Sequence, residues 1–329
     1  MSQPQGFDDK NRLFVCKLTK SLYGLRQAPR AWFDRLRATL LSWKFKNSRA
    51  DSSLFFHKAP GLIIMVLIYV DDMIVTGNNK EKLQQFDAKL NSEFALKDLG
   101  PLIFFLGIEM HRDDTGLYLN QSKHIKELLS RTEMQHLKSC STPMTAGKVL
   151  SKIDGEPLSN PTTYRSIIRG LQYLTHTRPD LSFTVNKLSQ FLQAPTAAHW
   201  NAMKRVLKYL KGLMYHGLHI KYTHRLNIVG FSDADWACCP DDRTSVAGYY
   251  VYLGDTLVSW SSKKQAVVSR SSTESEYRAL AHVAAEISWI QSLLKEFELP
   301  LVSTPVTWCD NMGASALVQI LCIMLRLSI

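Results

Sequence analysis

The chain has 329 residues, 45% hydrophobic and 21% charged, a balance that suits packed globular domains and excludes a disordered chain. Forty Lys and Arg against 29 Asp and Glu leave a net charge of +11, which suits a polyanionic partner such as nucleic acid or an anionic membrane surface. The six cysteines, Cys16, Cys140, Cys238, Cys239, Cys309 and Cys322, form no C-x-x-C pair, which argues for reduced thiols in an intracellular protein rather than a zinc knuckle or disulfide framework.

The opening MSQPQGFDDK is polar and carries no signal-peptide core. Residues 1 to about 115 alternate helical and strand patterns. In SLYGLRQAPRAWFDRLRATLLSW, Pro29 sits where a helix can begin, and Trp32, Phe33, Leu36, Leu40 and Leu41 recur at helical spacing. The longest apolar run, 62–70, is too short to span a bilayer and predicts a buried strand. A tight turn at Asp71 and Asp72 and a return strand over 73–76 follow. Gly77, Asn78 and Asn79 end that strand, and a helix runs from about 80 to 94.

The hairpin tip Tyr69-Val70-Asp71-Asp72 sets two carboxylates side by side between apolar flanks. Two-residue hairpin turns favour Asn-Gly or Asp-Gly, because glycine accepts a positive φ. Adjacent aspartates without glycine are tolerated as an acidic surface turn or as ligands of a divalent cation. Phosphoryl transfer uses carboxylate-held cations at its attacking and leaving oxygens.

The middle of the chain, from about 120 to 222, reads as mainly helical, with helices over 124–130, 164–175 and 197–212. Its segment 139–161, rich in Ser, Thr, Pro and Gly, reads as a flexible linker. Lys204, Arg205, Lys208 and Lys211 suit either phosphate tracking or a solvated helix face.

From 226 to 319 the pattern is strand, strand, strand, helix, strand, helix. The spans are 227–231, 247–253, 257–261, 273–297, 305–309 and 311–319, which indicates an α/β domain with a mixed sheet. Asp233 and Asp310 close the first and fourth strands, expected to be parallel neighbours with a site at their carboxyl ends. Glu276 heads a helical stripe with Leu280, Val283, Ile287, Ile290 and Leu294, and so points at the sheet. An acid on an apolar stripe is unusual unless paired or metal-bound. Glu274 completes a capping box with Ser271 more readily, and Glu276 could do the same with Thr273. Two strand-end aspartates with an inward glutamate suit a two-metal nuclease. Asp235 shares the Asp233 face but lies beyond the expected strand end.

Three sequence blocks, LTKSLYGLRQAPRAWF, LIYVDDMIVTG and FALKDLGPLIFFLGIEM, resemble in order the reverse transcriptase of copia-type retrotransposons, and QPQGF resembles the segment before them. GFSDADWACCPDDRTSVAGYYVYLG, SWSSKKQ, STESEYRAL and WCDNMGA resemble the ribonuclease H of the same elements. The resemblance runs nearly the whole length. It implies a fold of α/β and α+β parts. These are a partial reverse transcriptase palm with a YVDD hairpin (1–115), a helical thumb or connection (116–225) and a ribonuclease H-like mixed-sheet domain (226–319). The apolar tail 320–329 does not match the family pattern.

The resemblance further implies Asp71, Asp72, Asp233, Glu276 and Asp310 as catalytic metal ligands, with Glu274 the alternative to Glu276. Arg26, Gln27 and Lys97 fall near nucleotide and template, and Lys263, Lys264 and Arg270 near the hybrid backbone. Leu106-Gly107-Ile108-Glu109 resembles the primer grip. Magnesium, replaceable by manganese, is the implied cofactor. The implied partners are RNA template, DNA primer, RNA–DNA hybrid and other Pol segments, with no membrane, in the cytoplasm or nucleus.

The family's remaining palm aspartate falls upstream of QPQGF, and no strand-end aspartate precedes Asp71 here, so polymerase activity is expected to be absent. The ribonuclease H pattern stops after Gln319, so its last strand and helix are expected to be missing. The readings are therefore a polymerase–nuclease fragment, a non-catalytic nucleic-acid-binding relic, or a free-standing ribonuclease H.

Overall fold

The computed structural model describes residues 27–94, 96–145, 147 and 149–327, with side chains as far as 319. The QPQGF segment, Arg26 and Cys16 lie outside the described residues. The chain forms two compact units that divide between Leu99 and Gly100.

In the first unit, α1 (Ala28–Ser42) begins with proline in its first turn, where a missing N–H costs nothing. It is followed by β1 (Lys46–Asn47), β2 (Leu54–Ala59), β3 (Leu62–Tyr69), β4 (Asp72–Gly77) and α2 (Lys80–Phe94). The strands form one antiparallel sheet in the order β1-β2-β3-β4. Alternate residues of β3, Ile64, Val66 and Ile68, are buried with Leu36 and Leu40 of α1 and Phe86 and Leu90 of α2. Each such side chain contributes about 1.5–3 kcal/mol by leaving water. The turn differs from expectation by one residue: Asp72 is paired with Tyr69 in the ladder, so Val70 and Asp71 form the two-residue loop.

The second unit opens with β5 (Phe104–Phe105), β6 (Ile108–Asp113) and β7 (Gly116–Asn120). Four helices follow, α3 (Ser122–Arg131), α4 (Pro161–Leu174), α5 (Ser182–Ser189) and α6 (Ala197–Gly212), and then β8 (Leu218–Lys221). β8 pairs with β7, completing a sheet of order β5-β6-β7-β8. The expected boundary at 115 therefore falls inside the β6–β7 hairpin. Long-range strand pairing, invisible to local periodicity, ties both sides of it together.

The helices bury Ile125, Leu128, Ile168, Leu171, Leu188, Val206 and Leu210 in one core. The stretch 139–161, expected as a flexible linker, has among its described residues no helix or strand before α4 begins at Pro161, but it is anchored. Leu150 is 1% exposed. Ser151 Oγ donates to Asp241 Oδ1 at 2.6 Å, and Leu158 N donates to Pro195 O. Its turn residues predict the irregular path and say nothing of the apolar Leu150 that pins it.

The remaining elements are β9 (Ile228–Asp235), β10 (Val246–Leu253), β11 (Thr256–Lys264), α7 (Ser272–Glu296), β12 (Val306–Trp308) and α8 (Met312–Leu327). They follow the expected order. The sheet runs β11-β10-β9-β12, antiparallel except for the parallel β12–β9 pair. α7 covers one face: Val283, Ile287, Ile290 and Leu294 pack with Ile228 and Val251. Gly230 is required by this closeness, since a Cβ there would lie 2.9 Å from both Ile287 Cδ1 and Val283 Cγ2. α8 runs through 320–327, so those tail residues are helical.

Candidate active site

The β12–β9 register pairs Trp308 with Phe231. Continued by one and two residues, it sets Cys309 beside Ser232 and Asp310 beside Asp233. Burial along β9 alternates, with Gly230, Ser232 and Ala234 inside and Phe231, Asp233 and Asp235 exposed. One face therefore carries Asp233 and Asp235 with Asp310 alongside, and the other meets α7. The acidic face opens on a cleft of about 540 Å³ lined by Asp233, Asp235, Cys309 and Asp310. Across the sheet, Trp260, Tyr250, Phe231 and Trp308 form a cross-strand row beside these acids. Its last three members are exposed.

Glu276, in the first turns of α7, is 6% exposed. The N–H of Ala234, beyond the last paired residue of β12, donates to Glu276 Oε1 at 3.0 Å. Oε2 faces the Cys309 thiol, which donates to it at 4.0 Å. Burial, then repulsion from Asp233, Asp310 and Asp235, pushes the Glu276 carboxyl above its ordinary range, against the Ala234 hydrogen bond. Asp233 is likewise raised by burial, then by Asp235 and, less strongly, Asp310. Such concentrated like charge is the situation a divalent cation relieves.

Among the described residues one set of potential ligand atoms lies together: those of Glu276, Cys309 and Asp310, within 4.8 Å of one another. Asp233 is outside that set. Cys309, read from sequence only as a reduced thiol, is thus inside the cluster. Its signal was its position one residue from Asp310, just past a strand whose register could not be read in advance.

Glu274 does different work. Ser271 Oγ accepts from Glu274 N at 3.1 Å, and Glu274 Oε2 accepts from Arg270 N at 2.9 Å. With Arg278 at 2.9 Å, these bonds hold Glu274 at the α7 N-terminus, away from the cleft. The Arg270 hydrogen bond, then Arg278, lowers its carboxyl.

Of the expected nucleic-acid contacts, Lys263 is exposed on β11. Lys264 Nζ donates to Asp242 Oδ2 at 2.7 Å and Cys239 Sγ at 3.2 Å. Arg205 Nη2 donates to Thr142 Oγ1 and Lys211 Nζ to Leu137 O, so these two fasten the segment after α3. Gln27 and Lys97 are exposed in the first unit. In the expected primer grip, Leu106 and Gly107 both take positive φ, as a type I′ turn requires. Glu109 there accepts from Ser122 Oγ and Lys123 N, holding the α3 N-terminus.

At the tip between β3 and β4, Tyr69, Val70, Asp71 and Asp72 are all exposed. Val70 has φ +53°, rare for a β-branched residue and costing about 1–3 kcal/mol. That conformation keeps the loop at two residues, with both aspartates exposed. No third potential ligand joins them in a cluster among the described residues.

No helix of the described residues is long and apolar enough to cross a membrane. A family description, reverse transcriptase (RNA-dependent DNA polymerase), matches residues 1–146. The chain is 49% identical over 318 residues to the retrovirus-related Pol polyprotein from transposon RE1 of Arabidopsis thaliana, covering 96% of this chain and 22% of that protein. It is 34% identical to the corresponding polyprotein from transposon TNT 1-94 of Nicotiana tabacum, over 95% of this chain and 24% of that one. A protein named for transposon Ty5-1 in Saccharomyces cerevisiae is 31% identical, over 87% of this chain and 94% of its own length. This chain thus spans under a quarter of the two Pol polyproteins. No solved structure matches it. With its reverse transcriptase region over residues 1–146, the chain belongs to the copia-type retrotransposon Pol polyproteins.

Proposed function

We propose that residues 226–319 form a ribonuclease H-type nuclease that cuts the RNA strand of an RNA–DNA hybrid. The observation that carries this reading is the parallel β12–β9 pair, which brings Asp310 beside Asp233 with Glu276 behind them on α7. Asp233 and Asp310 offer the hard oxygen donors that suit Mg²⁺ or Mn²⁺, next to an open cleft. Asp233, Asp310 and Glu276 would hold the cations. When bound, these would stabilise charge at the attacking and leaving oxygens of a phosphodiester. The Ala234 N–H orients Glu276 by fixing Oε1 and leaving Oε2 toward Asp310 and Cys309. Lys263 and Arg270 supply positive charge for the hybrid backbone.

The test is a labelled RNA–DNA hybrid incubated with the chain in Mg²⁺, beside single-stranded RNA and duplex DNA. The expected result is cleavage of the hybrid RNA alone, lost in Asp310→Asn. Equal cleavage by that variant would overturn the reading.

We assign Asp71 and Asp72 to the metal-binding tip of a polymerase palm, supported by the family match over 1–146 and by the exposed two-residue loop. The helices between the two sites are read as the thumb or connection. With two carboxylates clustered and no third among the described residues, the chain by itself is expected to extend no primer. Extension above an Asp71→Asn control would refute that.

A further inference from the structure

We propose that Glu276, Cys309 and Asp310 form a site for a thiophilic divalent cation, Zn²⁺, overlapping the one assigned to Mg²⁺. Three observations meet here. Their ligand atoms lie within 4.8 Å of one another, and one of them is sulfur. Glu276 is 6% exposed, and its Oε2 faces only the thiol among the hydrogen bonds it makes. Independently, Ser232 Oγ is buried without a hydrogen-bond partner, on the same face of the sheet and one strand from Cys309. Ser232 Oγ is thus a buried polar group that a ligand or its water would satisfy.

The spacing fits zinc. Tetrahedral Zn²⁺ at about 2.0 Å from oxygen and 2.3 Å from sulfur sets those two donors about 3.5 Å apart. Glu276 Oε2 and Cys309 Sγ stand 4.0 Å apart, a rotamer adjustment away. Glu276 and Asp310 supply oxygens and Cys309 the sulfur. A water hydrogen-bonded to Ser232 completes four ligands, and the thiol proton passes to solvent on binding. Magnesium gains nothing from sulfur, because it is a hard cation, whereas thiolate selects for zinc. The cluster therefore discriminates between the two. Zinc held there ties up Glu276 and Asp310, so the consequence for cleavage rests on the nuclease reading, while the binding itself does not.

The experiment titrates Co²⁺, a spectroscopic stand-in for zinc, into the full 329-residue chain under a non-thiol reductant. Zn²⁺ affinity is measured in parallel by competition with a chromophoric chelator. The wild type should show a thiolate-to-cobalt charge-transfer band in the near ultraviolet. Cys309→Ser should lose it and weaken Zn²⁺ by at least about tenfold, and Cys238→Ser should keep both. Circular dichroism confirms that each variant is folded. A band that persists in Cys309→Ser, or equal zinc affinity in the two proteins, would overturn the proposal. Neither readout needs cleavage of nucleic acid, so this inference and the nuclease reading fail separately.

Discussion

Replacing Asp180 by alanine strands a buried guanidinium. Arg178, whose side chain is 3% exposed, donates from Nε and Nη2 to the two oxygens of Asp180 at 2.9 and 2.7 Å. Its Nη1 donates to Leu213 O at 2.9 Å, and Tyr209 OH donates to Asp180 Oδ2 at 2.8 Å. Without the carboxylate, one carbonyl remains as its hydrogen-bond acceptor, with the Tyr209 ring 5.6 Å away. Breaking a buried pair costs roughly 3–5 kcal/mol. Asp180 is itself 36% exposed, so entering water lowers the expected loss to roughly 2–4 kcal/mol. For a unit of this size that is a fall in Tm of about 5–15 °C, read by circular dichroism and by urea midpoint. The double variant Arg178→Met, Asp180→Leu should recover most of it. Burial alone would raise the Asp180 carboxyl, but the hydrogen bonds and charge of Arg178, together with the Tyr209 and backbone hydrogen bonds, hold it below its ordinary range. The pair's contribution is therefore present above the unfolded value near ~3.9 and lost as pH falls through the lower folded value. The gap between wild type and Asp180→Asn should be full at neutral pH and shrink in acid. A loss under about 1 kcal/mol, or a gap that widens in acid, would refute this reasoning. The pair sits just before α5, which carries Phe183 to the edge of the acidic cleft.

His199 is fully buried, stacked on Phe191 at 3.8 Å, and accepts from Thr196 N at Nδ1 while Nε2 donates to Ser151 O. Burial lowers its pKa, so its neutral form is favoured when folded. Stability should fall as pH drops below about 6.5. His199→Asn should flatten that slope, and an unchanged slope would contradict the assignment. Gly230→Ala should cost about 1–3 kcal/mol by crowding Ile287 and Val283, measured by urea midpoint. An unchanged midpoint would show that α7 yields freely. In chelator, Asp233→Asn should melt above wild type, because burial and then its acidic neighbours disfavour the charge. Millimolar Mg²⁺ should raise the Tm of wild type and not of the variant. Equal shifts would place the cation elsewhere.

The hairpin of β3 and β4, the helix α2 and the six elements from β9 to α8 were legible because each has a strong local period bounded by turn residues. β1, β5 and α5 were not. β1 and β5 have two residues each, and α5 has eight residues that follow a proline-led turn. β8 joins its sheet only through pairing with β7, about a hundred positions earlier, which no local pattern encodes. The turn at Val70 was misplaced by one residue because a β-branched residue at positive φ is the option propensity disfavours. At the site, Asp233, Asp310 and Glu276 were legible from strand ends and a helical stripe. Cys309 and Ser232 were not, because their placement depends on the β12–β9 register. The ion pair of Lys264 with Asp242 was not legible either, because the two are 22 positions apart, with Asp242 in the loop before β10 and Lys264 at the end of β11.

The most direct measurement compares hybrid cleavage in Mg²⁺ by wild type, Glu276→Gln and Glu274→Gln, each verified as folded. The sheet-facing position of Glu276 and the capping role of Glu274 predict that Glu276→Gln loses at least about a hundredfold in rate, while Glu274→Gln stays close to wild type. Loss of cleavage in Glu274→Gln with Glu276→Gln still active would contradict the account.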